Sequence, residues 1–482
     1  MTKPPVIYWL RRDLRLQDNP ALRHALASDH PLMFVYIHEP EDSSDAPGAA
    51  SRWWLHHSLT ALQGQLDKFR QQLYCFAGSA LEILPQLTRQ TASRQVVCTQ
   101  CYEPAALALE TQLKTRLAAM GVSLDLAPGN YLFSPGTVRN QQGECYKVFT
   151  PFYKACLAQG LPTACSGAPK KIPSYVYAHP ALSIAQLRLL PAIDWTAGLQ
   201  DRWQPGEAGA WQQWQDFIKQ GLSRYKEDRD YPAQDGTSHV SPHLHFGEIA
   251  PARLVYELSR VSHKTAAQAG QVDAVIRQLV WRDFACHILM RYPHTTTAPF
   301  QEKFKHFAWR RSDKKLLRAW QQGQTGYPLI DAGMRELWHT GYMHNRVRML
   351  VASFLTKNAL LHWHHGARWF WDTLVDADLA QNSMNWQWVA GCGVDAAPYF
   401  RIFNPVSQSQ KFDAQGDYIR RWCPELGALP RKFLHAPWTA SEVVLQQAGV
   451  RLGTDYPRPL LDLMATRERA LAMYKALRAT PR

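Results

Sequence analysis

The sequence predicts an N-terminal α/β domain built on a parallel, Rossmann-like sheet, followed by a large all-α C-terminal domain. Three observations carry this prediction. Short apolar runs alternate with amphipathic stretches over the first 130 residues, prolines then interrupt the pattern, and helical periodicity without convincing strands continues beyond Trp211. The predicted organisation of the 482 residues is an α/β domain over 1–130, a connector over 131–205 and a helical domain over 206–482.

Five apolar runs in the first domain are predicted β-strands, at residues 6–10, 32–37, 73–76, 96–98 and 122–126. The amphipathic stretches between them predict helices over 21–27, 52–70, 80–87 and 104–120. Such alternation indicates βαβ units. The first strand is followed by Arg11-Arg12-Asp13-Leu14-Arg15 rather than by GxGxxG, so the sheet gives no direct sign of a nicotinamide cofactor.

The connector is marked by repeated prolines and is predicted to hold one or two short helices. In the last domain, apolar residues recur at helical spacing over 250–261, 274–290, 314–321, 332–339, 345–361 and 367–374. No strand pattern intervenes, which predicts the all-α class for this part of the chain.

The composition excludes several classes of protein. It is 46% hydrophobic and 20% charged, and no segment approaches the roughly 20 unbroken apolar residues of a membrane helix. The apolar run at 6–10 is too short for a signal peptide, so we expect a cytoplasmic protein without membrane contact. The nine cysteines lack disulfide-like spacing, and the CxxC of Cys98 and Cys101 has no second pair, so we expect reduced thiols and no metal site.

Positive charge and tryptophan are concentrated in the same part of the chain. Residues 201–482 hold +10 of the net charge of +14 and 14 of the 18 tryptophans. A surface that grips a nucleic acid backbone and stacks on its bases needs both features. A basic enzyme with a tryptophan-rich core fits the composition equally well, so composition alone leaves both readings open.

Two polar groups have the chemistry of a site. The segment 225–243 combines glycine, threonine and serines before Pro242, which suits a phosphate cradle but also a capped helix start. Asp376 and Asp378 lie one residue apart beside apolar residues, where burial would require partners. An ion pair with Arg348 is an equally simple structural role for one of them.

Tryptophans form a third candidate group, namely Trp309, Trp363 and Trp386, with Trp281 and Trp388 besides. Indole is readily oxidised by one electron, so a file of closely spaced indoles could connect a buried redox cofactor with the surface. Core packing explains the same residues, and sequence spacing alone favours it.

Five long segments of this chain resemble the photolyase and cryptochrome family of blue-light flavoproteins, in the family's order and over essentially the whole chain. They are 9–19 (WLRRDLRLQDN), 236–248 (GTSHVSPHLHFGE), 325–334 (TGYPLIDAGM), 341–349 (GYMHNRVRM) and 376–412 (DADLAQNSMNWQWVAGCGVDAAPYFRIFNPVSQSQKF). Within the family the chain is most similar to class I cyclobutane pyrimidine dimer photolyases. The resemblance implies an α/β domain, a long connector and a helical FAD-binding domain.

The resemblance also implies that the helical domain holds FAD in a folded, U-shaped form. Its phosphate side would be held by Tyr225, Thr237, Ser238, His239, Val240 and Ser241. The ribityl chain and isoalloxazine ring would be surrounded by Arg282, Asn345, Arg348, Asp376, Ala377, Asp378 and Asn382.

Four residues match the family's redox positions. Asn382 stands where the family places the residue facing flavin N5, and an amide there hydrogen-bonds the N5–H of reduced flavin. Trp386, Trp363 and Trp309 match the electron-transfer triad in outward order, although placing Trp309 requires a one-residue length difference in its loop.

By resemblance, the reaction is light-driven repair of UV-damaged DNA. Excited reduced FAD would donate an electron to a cyclobutane pyrimidine dimer flipped out of the duplex, the ring would open, and the electron would return. Positions that contact the dimer in the family correspond to Gln278, Trp281, Met349 and Trp388, and positions that contact the DNA backbone correspond to Arg229, Arg346 and Gln408.

The alternative within the family is a cryptochrome-type photoreceptor that binds FAD without repairing DNA. Plant-type photoreceptors usually lack the pair Trp281 and Met349 and often carry Asp where Asn382 stands. Enzymes for the (6-4) photoproduct carry two histidines where this chain has Asn345 and Met349. The residues present therefore favour repair of cyclobutane dimers.

Some positions depart from the family pattern. Residues 380–385 lack the Gly-Gly of some class I enzymes, Tyr342 replaces a frequent tryptophan, and Ala105 and Ala106 stand where some members hold a folate antenna with Asn-Glu. A second chromophore, whether folate, deazaflavin or flavin, or none at all, stays open, and Arg52 either serves an antenna or is solvated. By resemblance we expect a monomer with no obligate protein partner.

Overall fold

A computed structural model describes residues 3–39, 46–163, 165–261, 265–311, 313–399 and 401–479. The chain divides into two compact units. The first unit comprises residues 1–223, 238–293 and 375–380, and the second comprises 224–237, 294–374 and 381–482. Neither unit is one continuous segment, and the sequence-derived boundaries near 130 and 206 stay predictions.

The first unit contains a five-stranded parallel sheet in the order β3-β2-β1-β4-β5. The strands are β1 (Val6–Leu10), β2 (Leu32–His38), β3 (Leu73–Ala77), β4 (Gln95–Thr99) and β5 (Ser123–Ala127). Ile7 in β1 lies opposite Met33 on one side and Val96 on the other, and all three are fully buried. The α/β fold predicted for this part of the chain is confirmed.

The described residues form α-helices in both units, numbered here in chain order. They are α1 (Pro20–Leu26), α2 (Ala49–Asp67), α3 (Ala80–Thr91), α4 (Pro104–Ala118), α5 (Phe149–Gln159), α6 (Ala197–Arg202), α7 (Glu207–Asp216), α8 (Tyr225–Asp228), α9 (Ser241–Phe246), α10 (Pro251–Arg260), α11 (Ala266–Arg291), α12 (Lys314–Gln321), α13 (Pro328–Thr340), α14 (Asn345–Ser353), α15 (Trp363–Thr373), α16 (Leu379–Ala390), α17 (Pro405–Phe412), α18 (Asp417–Trp422), α19 (Arg431–Leu434), α20 (Glu442–Gln447) and α21 (Leu463–Ala479).

Short 3₁₀ helices and π-helical turns complete the secondary structure of the described residues. The 3₁₀ helices are Ala185–Leu187, Leu222–Arg224, Pro293–Thr296, Glu302–His306, Pro424–Leu426 and Pro437–Thr439, and the π-helical turns are Phe217–Gly221 and Phe354–Asn358. No helix in the described part of the chain is long and apolar enough to cross a membrane. All nine cysteines are free thiols.

The core of the sheet is built from alternating positions of its strands and from the inner faces of two helices. Leu84 of α3 and Leu113 and Leu117 of α4 are fully buried in the same apolar cluster as Ile7 and Val35. Parallel strands buried on both faces read as continuous apolar runs, which is why the sequence pattern located them to within one residue at either end.

Gly247 allows two segments of the first unit to approach each other closely. It lies just after α9 with a φ of 69°, and a Cβ atom there would lie 1.9 Å from the carbonyl oxygen of Arg12. The Gly247 carbonyl in turn accepts a 2.8 Å hydrogen bond from Nη1 of Arg15. A left-handed backbone in contact with another backbone can be provided only by glycine.

Candidate flavin and nucleic acid site

Asp376 has a hydroxyl partner in the first unit. Ser241, at the start of α9, donates a hydrogen bond of 2.7 Å from Oγ to Asp376 Oδ2. Ser238 and His239 are half-buried just before this helix and Val240 is buried, while His239 has a left-handed φ of 49°. The turn predicted to cradle phosphate is therefore sharply bent, and its serine is fixed by a carboxylate.

Asp378 is a buried carboxylate with cationic neighbours in the same unit. His245 Nδ1 lies 3.3 Å from Asp378 Oδ2, and Arg12 Nη1 lies 4.0 Å from the same oxygen. Burial opposes ionisation, but the hydrogen bond with His245 and the charges of Arg282 and Arg12 outweigh it and hold the pKa of Asp378 well below its usual range. Burial lowers the pKa of His245.

Arg282 is positioned by two backbone carbonyls of the first unit. Its Nη1 donates to the Asn130 carbonyl and its Nη2 donates to the Leu244 carbonyl at 3.1 Å. The guanidinium lies 4.4 Å from the centre of the Tyr131 ring. The arginine is thus oriented before any ligand binds.

Trp281 and Gln278 lie one turn apart on α11. The Trp281 indole stacks on Phe149 with ring centres 3.6 Å apart and planes 6° from parallel. Arg277 covers the Phe149 ring at 4.9 Å. Trp281 is half-buried, so part of the indole is available to a ligand. Gln278 is also half-buried, and its amide makes a bond of 3.4 Å to the Ala274 carbonyl.

In the second unit, Tyr225 and Thr237 stand at two ends of one compact turn. Tyr225 is buried at the start of α8, and the Arg229 guanidinium lies 5.2 Å from the centre of its ring. Gly236 packs so closely on the end of this helix that a Cβ atom would lie 2.8 Å from the Asp228 backbone. Thr237 follows directly and is half-buried.

Asn382 has a fixed amide orientation in the second unit. Its Nδ2 donates a hydrogen bond of 2.9 Å to the Ala367 carbonyl of α15. The side chain is half-buried, and its remaining polar atom, Oδ1, is an acceptor. The position is therefore arranged to receive an N–H group.

Two of the three tryptophans predicted to carry electrons are buried, and the third is half-buried. Trp363 and Trp386 are 1% and 3% exposed, whereas Trp309 is half-buried. The ring of His362 lies 5.2 Å from Trp309 and 5.6 Å from Trp363 between ring centres. One turn after Trp363, Gly366 contacts Trp386 so closely that a Cβ atom would lie 2.0 Å from its Cη2. His362, the residue before α15, therefore lies next to Trp309 and Trp363, and Gly366 in α15 lies against Trp386.

Six more residues of the second unit have roles predicted from the resemblance, namely Asn345 and Arg348 beside the flavin, Met349 and Trp388 against the dimer, and Arg346 and Gln408 against the DNA backbone. Arg346 pairs with Asp230 at 2.7 Å and lies 4.4 Å from the centre of the Phe412 ring. Arg348 donates from Nε to the Met343 carbonyl at 2.7 Å. Asn345 is exposed as the first residue of α14, and half-buried positions are occupied by Met349, Trp388 and Gln408.

Sequence reasoning missed the residues that hold the tryptophans and Trp281. His362, Gly366 and Phe149 make the contacts described above, but none was singled out. A glycine inside a strong helical pattern, between Trp363 and Phe370, was the one local signal that a large side chain packs there.

Comparison with known proteins assigns the chain to a family. A family model described as DNA photolyase matches residues 6–173, and one described as the FAD binding domain of DNA photolyase matches residues 275–476. The chain belongs to the photolyase and cryptochrome family. Both parts of the predicted resemblance are confirmed, the α/β domain by the first model and the FAD-binding domain by the second.

Relatives within this family match over nearly the full length. The deoxyribodipyrimidine photo-lyase of Agrobacterium fabrum is 43% identical over 99% of this chain and 98% of its own length. Cryptochrome-2 of Arabidopsis thaliana is 35% identical over 96% of this chain and 77% of its own length. The crystal structure of a class III photolyase from Agrobacterium tumefaciens matches with a TM-score of 0.95 and 43% identity, covering 100% of this chain and 99% of that one. That relative does not support the class I subtype favoured by the sequence resemblance.

The residues present fit the FAD that the photolyase model implies. In the second unit, Asn382 presents an oriented carbonyl oxygen to an N–H group, as reduced flavin offers at N5. In the first unit, the buried and ionised Asp378 and the oriented Arg282 provide charges fixed within the fold.

Replacing Trp386 by Phe tests the proximal position of the electron-transfer triad. Phenylalanine fills most of the space against Gly366 but is far harder to oxidise than indole, so photoreduction of protein-bound oxidised FAD should be abolished. The measurement is the loss of oxidised flavin absorbance under blue light. Trp438→Phe, at a half-buried tryptophan of the same unit, is the matched control and should photoreduce normally. Unchanged photoreduction in Trp386→Phe would mean that another residue is the donor.

Asp283, next to Arg282 on α11, should make the stability of the protein depend on pH. It is 2% exposed, accepts a 2.8 Å bond at Oδ2 from the Phe133 N–H, and has no partner for Oδ1 among the described residues. Burial raises its pKa to about 7. Because the folded pKa lies above that of the unfolded chain, the carboxyl group stabilises the fold fully below about pH 4 and loses that contribution as the pH rises through about 7.

Asp283→Asn therefore should gain stability relative to the parent protein between pH 4 and pH 8. The upper limit is roughly 4 kcal/mol, at about 1.4 kcal/mol per pKa unit. Melting temperatures of both proteins across this range provide the measurement, with Asp201→Asn, at an exposed site of the same unit, as the control for removing one carboxylate. A difference in melting temperature that does not vary with pH would show that Asp283 is ionised in the folded protein.

Proposed function

We propose that this protein is a deoxyribodipyrimidine photo-lyase that uses light to reverse cyclobutane pyrimidine dimers in UV-damaged DNA. Bound reduced FAD supplies the chemistry, by lending one electron to the dimer on excitation and regaining it once the cyclobutane ring has opened. The observation that carries the proposal is the fixed amide of Asn382, whose Nδ2 is held by the Ala367 carbonyl and whose Oδ1 is left to accept a hydrogen bond. Such an acceptor stabilises a protonated N5 and therefore the reduced cofactor that repair requires.

The subtype is proposed from the solved relative. Its printed class is III and its identity to this chain is 43% over the full length, so we place this protein with class III rather than class I. The proposal that FAD is the catalytic cofactor does not depend on this choice. A second chromophore is left unassigned.

The indole of Trp281 is the proposed wall against which the dimer stacks. Phe149 supports one face of the ring, so the indole keeps its orientation when the substrate enters. A half-buried and pre-oriented aromatic side chain loses little entropy on binding. Gln278, one turn away on the same helix, would hydrogen-bond the edges of the bases.

Arg346 and Arg229 are the proposed contacts to DNA phosphates in the second unit. Arg346 is held by Asp230 and by the Phe412 ring, which fixes the direction of its guanidinium while leaving donors for a phosphate oxygen. Arg229 rests against Tyr225 in the same way. Binding through such contacts releases counterions, so affinity for DNA should fall steeply with salt.

A photoreceptor of the cryptochrome type is the second candidate, because Arabidopsis thaliana cryptochromes share 35% identity with this chain. A single assay separates the two. The FAD-loaded protein is chemically reduced, mixed with DNA that contains one thymine cyclobutane dimer, and illuminated with near-ultraviolet or blue light. We expect thymines to be restored in the light and not in the dark. Persistent dimers with FAD bound would refute the repair function and favour the photoreceptor.

Trp281→Ala should weaken binding to dimer-containing DNA. Loss of one base-stacking aromatic costs about 1–3 kcal/mol, which is roughly 5- to 150-fold in Kd. Fluorescence anisotropy with damaged and intact duplexes measures the effect, and Trp211→Ala serves as a control at another half-buried tryptophan of the first unit. Equal affinity of Trp281→Ala and the parent protein for damaged DNA would remove Trp281 from the substrate site.

A further inference from the structure

Trp309 lies within a strongly basic segment of the second unit. Residues 302–318 contain seven lysines and arginines but only two acidic residues. Trp309 is half-buried, so its indole reaches the surface among these charges. We propose that this surface docks an acidic electron-transfer protein, which returns one electron to Trp309 after photoreduction has removed one. The inference rests on the proposed function, because it takes Trp309 as the outer member of the electron-transfer triad.

Aromatic packing joins the Trp309 segment to helix α21. The Phe307 ring lies 4.7 Å from Trp309 and 5.7 Å from Tyr399 between ring centres. Tyr399 in turn stacks on Tyr474 of α21, with ring centres 4.4 Å apart and planes 15° from parallel. Helix α21 therefore packs beside the segment that carries Trp309 and brings its own charges to the same surface.

Lysines from two segments meet at Tyr474. Lys303 Nζ lies 5.6 Å from the centre of the Tyr474 ring, and Lys475 is the next residue of α21. Both lysines are exposed. The aromatic cluster thus has cations at its solvent edge as well as beside Trp309.

Two arginines repel each other near Trp309. Arg469 of α21 donates from Nη2 to the Asn358 carbonyl at 2.9 Å. Burial lowers the pKa of Arg469, and the charge of Arg310, the residue after Trp309, lowers it further. The two guanidinium groups therefore lie within electrostatic reach of each other. An anionic partner would relieve this repulsion, because opposite charges stabilise one another.

The side chains that act electrostatically on His362 are also basic. Its ring lies 5.2 Å from Trp309 between ring centres. Burial, followed by the charges of His364, His365 and Arg368, lowers the pKa of His362 to about 4. Helix α15 therefore adds basic neighbours to those supplied by α21 and by residues 302–318.

The docking surface is defined here by the cations of these segments and is called the Trp309 surface. Its members are Lys303, Lys305, Arg310, Arg311, Arg469 and Lys475, arranged on the segments that hold Trp309 and its aromatic neighbours. Clustered charge of one sign attracts a partner of opposite sign and raises its association rate by about 10- to 1,000-fold. The partner expected from this charge is acidic.

Two carboxylates within the Trp309 surface favour a protein over a nucleic acid. Glu302 pairs with Lys305 at 2.9 Å, and Asp313 pairs with Arg310 at 3.2 Å. A phosphate backbone is negative along its whole length and would meet both carboxylates. An acidic protein can place a neutral or basic side chain opposite each of them, which is how charged protein interfaces achieve complementarity.

Electron balance identifies what the partner must carry. Photoreduction draws one electron inward from the triad and leaves the Trp309 indole one electron short. A docked protein with a one-electron centre, such as copper or an iron–sulfur cluster, loses one electron to the indole, which returns to its closed-shell form. A proton that the oxidised indole has released to water is taken back from water with that electron. The neighbouring cations disfavour positive charge on the indole and so assist its reduction.

The test is flash photolysis of the protein loaded with oxidised FAD, which follows the decay of the tryptophan radical. Reduced plastocyanin, an acidic copper protein, is compared with reduced cytochrome c, a basic haem protein of similar potential. We expect plastocyanin to reduce the radical about tenfold faster or more at low salt, and the difference to disappear at high salt. Equal rates at low salt, or the absence of any tryptophan radical, would overturn the inference.

Exposed substitutions locate the docking site. Lys305→Glu and Arg311→Glu should each slow the reaction with plastocyanin about three- to tenfold and accelerate that with cytochrome c, because they reverse a charge of the Trp309 surface. Lys305→Arg keeps the charge and should react like the parent protein. Arg431→Glu, at an exposed arginine of the same unit outside this surface, is the matched control and should leave both rates unchanged. Plastocyanin that reacts equally fast with Trp309→Phe would show that Trp309 is not the outlet.

A second measurement needs no light. Line broadening in nitrogen-15 NMR spectra of reduced plastocyanin reports docking on the FAD-loaded protein in the dark, and it should be lost in the double variant Lys305→Glu/Arg311→Glu. Unchanged broadening in the double variant would place plastocyanin elsewhere and overturn the inference. An undamaged DNA duplex that displaces plastocyanin, and that binds the double variant about tenfold more weakly than the parent protein, would assign the surface to nucleic acid instead. Repair by chemically reduced protein takes no electron from Trp309, so failure of docking and failure of the repair assay are distinguishable.

Discussion

The buried carboxylate of Glu248 connects three separate segments of the first unit, and one of them is α9, which follows the turn predicted to cradle phosphate. The side chain is fully buried and accepts hydrogen bonds from Trp54 Nε1 at 3.0 Å, from the Gly206 N–H at 2.8 Å and from His243 Nδ1. These donors belong to α2, to the start of α7 and to α9. Removing the carboxylate would leave all three buried without an acceptor, at about 1–3 kcal/mol each. The conspicuous Glu that closes the 236–248 motif is therefore a scaffold residue rather than a ligand of FAD.

The hydrophobic pattern of the sequence located the strands with continuous apolar runs. It placed the ends of two helices wrongly, where a cap or a buried charged residue decides the helix boundary. The central strands β1 and β2 are buried on both faces, and their apolar runs are unbroken. Helix α11 begins at Ala266 rather than near 274. Its first two turns contain Val272 as their one large apolar residue, and the helix start is capped by a capping box between Thr265 and Gln268. The predicted helix over 345–361 ends its α-helical part at Ser353, and a π-helical turn follows that buries the charged Lys357, which donates to the Arg401 carbonyl at 3.2 Å. Hydrophobic periodicity in the sequence predicts that a lysine is exposed, so it cannot predict a turn that buries one.

Sequence motifs predict which residue types occupy the candidate site and in what order they follow along the chain. The resemblance predicts roles for Trp363, Trp386 and Asn382, but it could not predict the contacts that position their side chains. The backbone of α15 meets two of these side chains, through Gly366 against Trp386 and through the Ala367 carbonyl on Asn382. Such contacts join positions about 15 to 20 residues apart in sequence, and no periodicity connects them. The indole and the amide are therefore positioned by the same helical turn, a coupling that only the three-dimensional structure reveals.

Two buried aspartates of the first unit have pKa values shifted in opposite directions by their surroundings. Burial alone raises the pKa of both carboxyl groups. At Asp283 the opposing groups are mainly backbone N–H donors and burial prevails, which raises its pKa to about 7. At Asp378 the opposing groups are His245, Arg282 and Arg12, and the carboxylate stays ionised. A fold that merely needed to fill space would not collect three cationic or donor side chains around one acid, because each of them is costly to bury. The charge at Asp378 is therefore the feature of this unit for which a bound ligand is the most economical explanation.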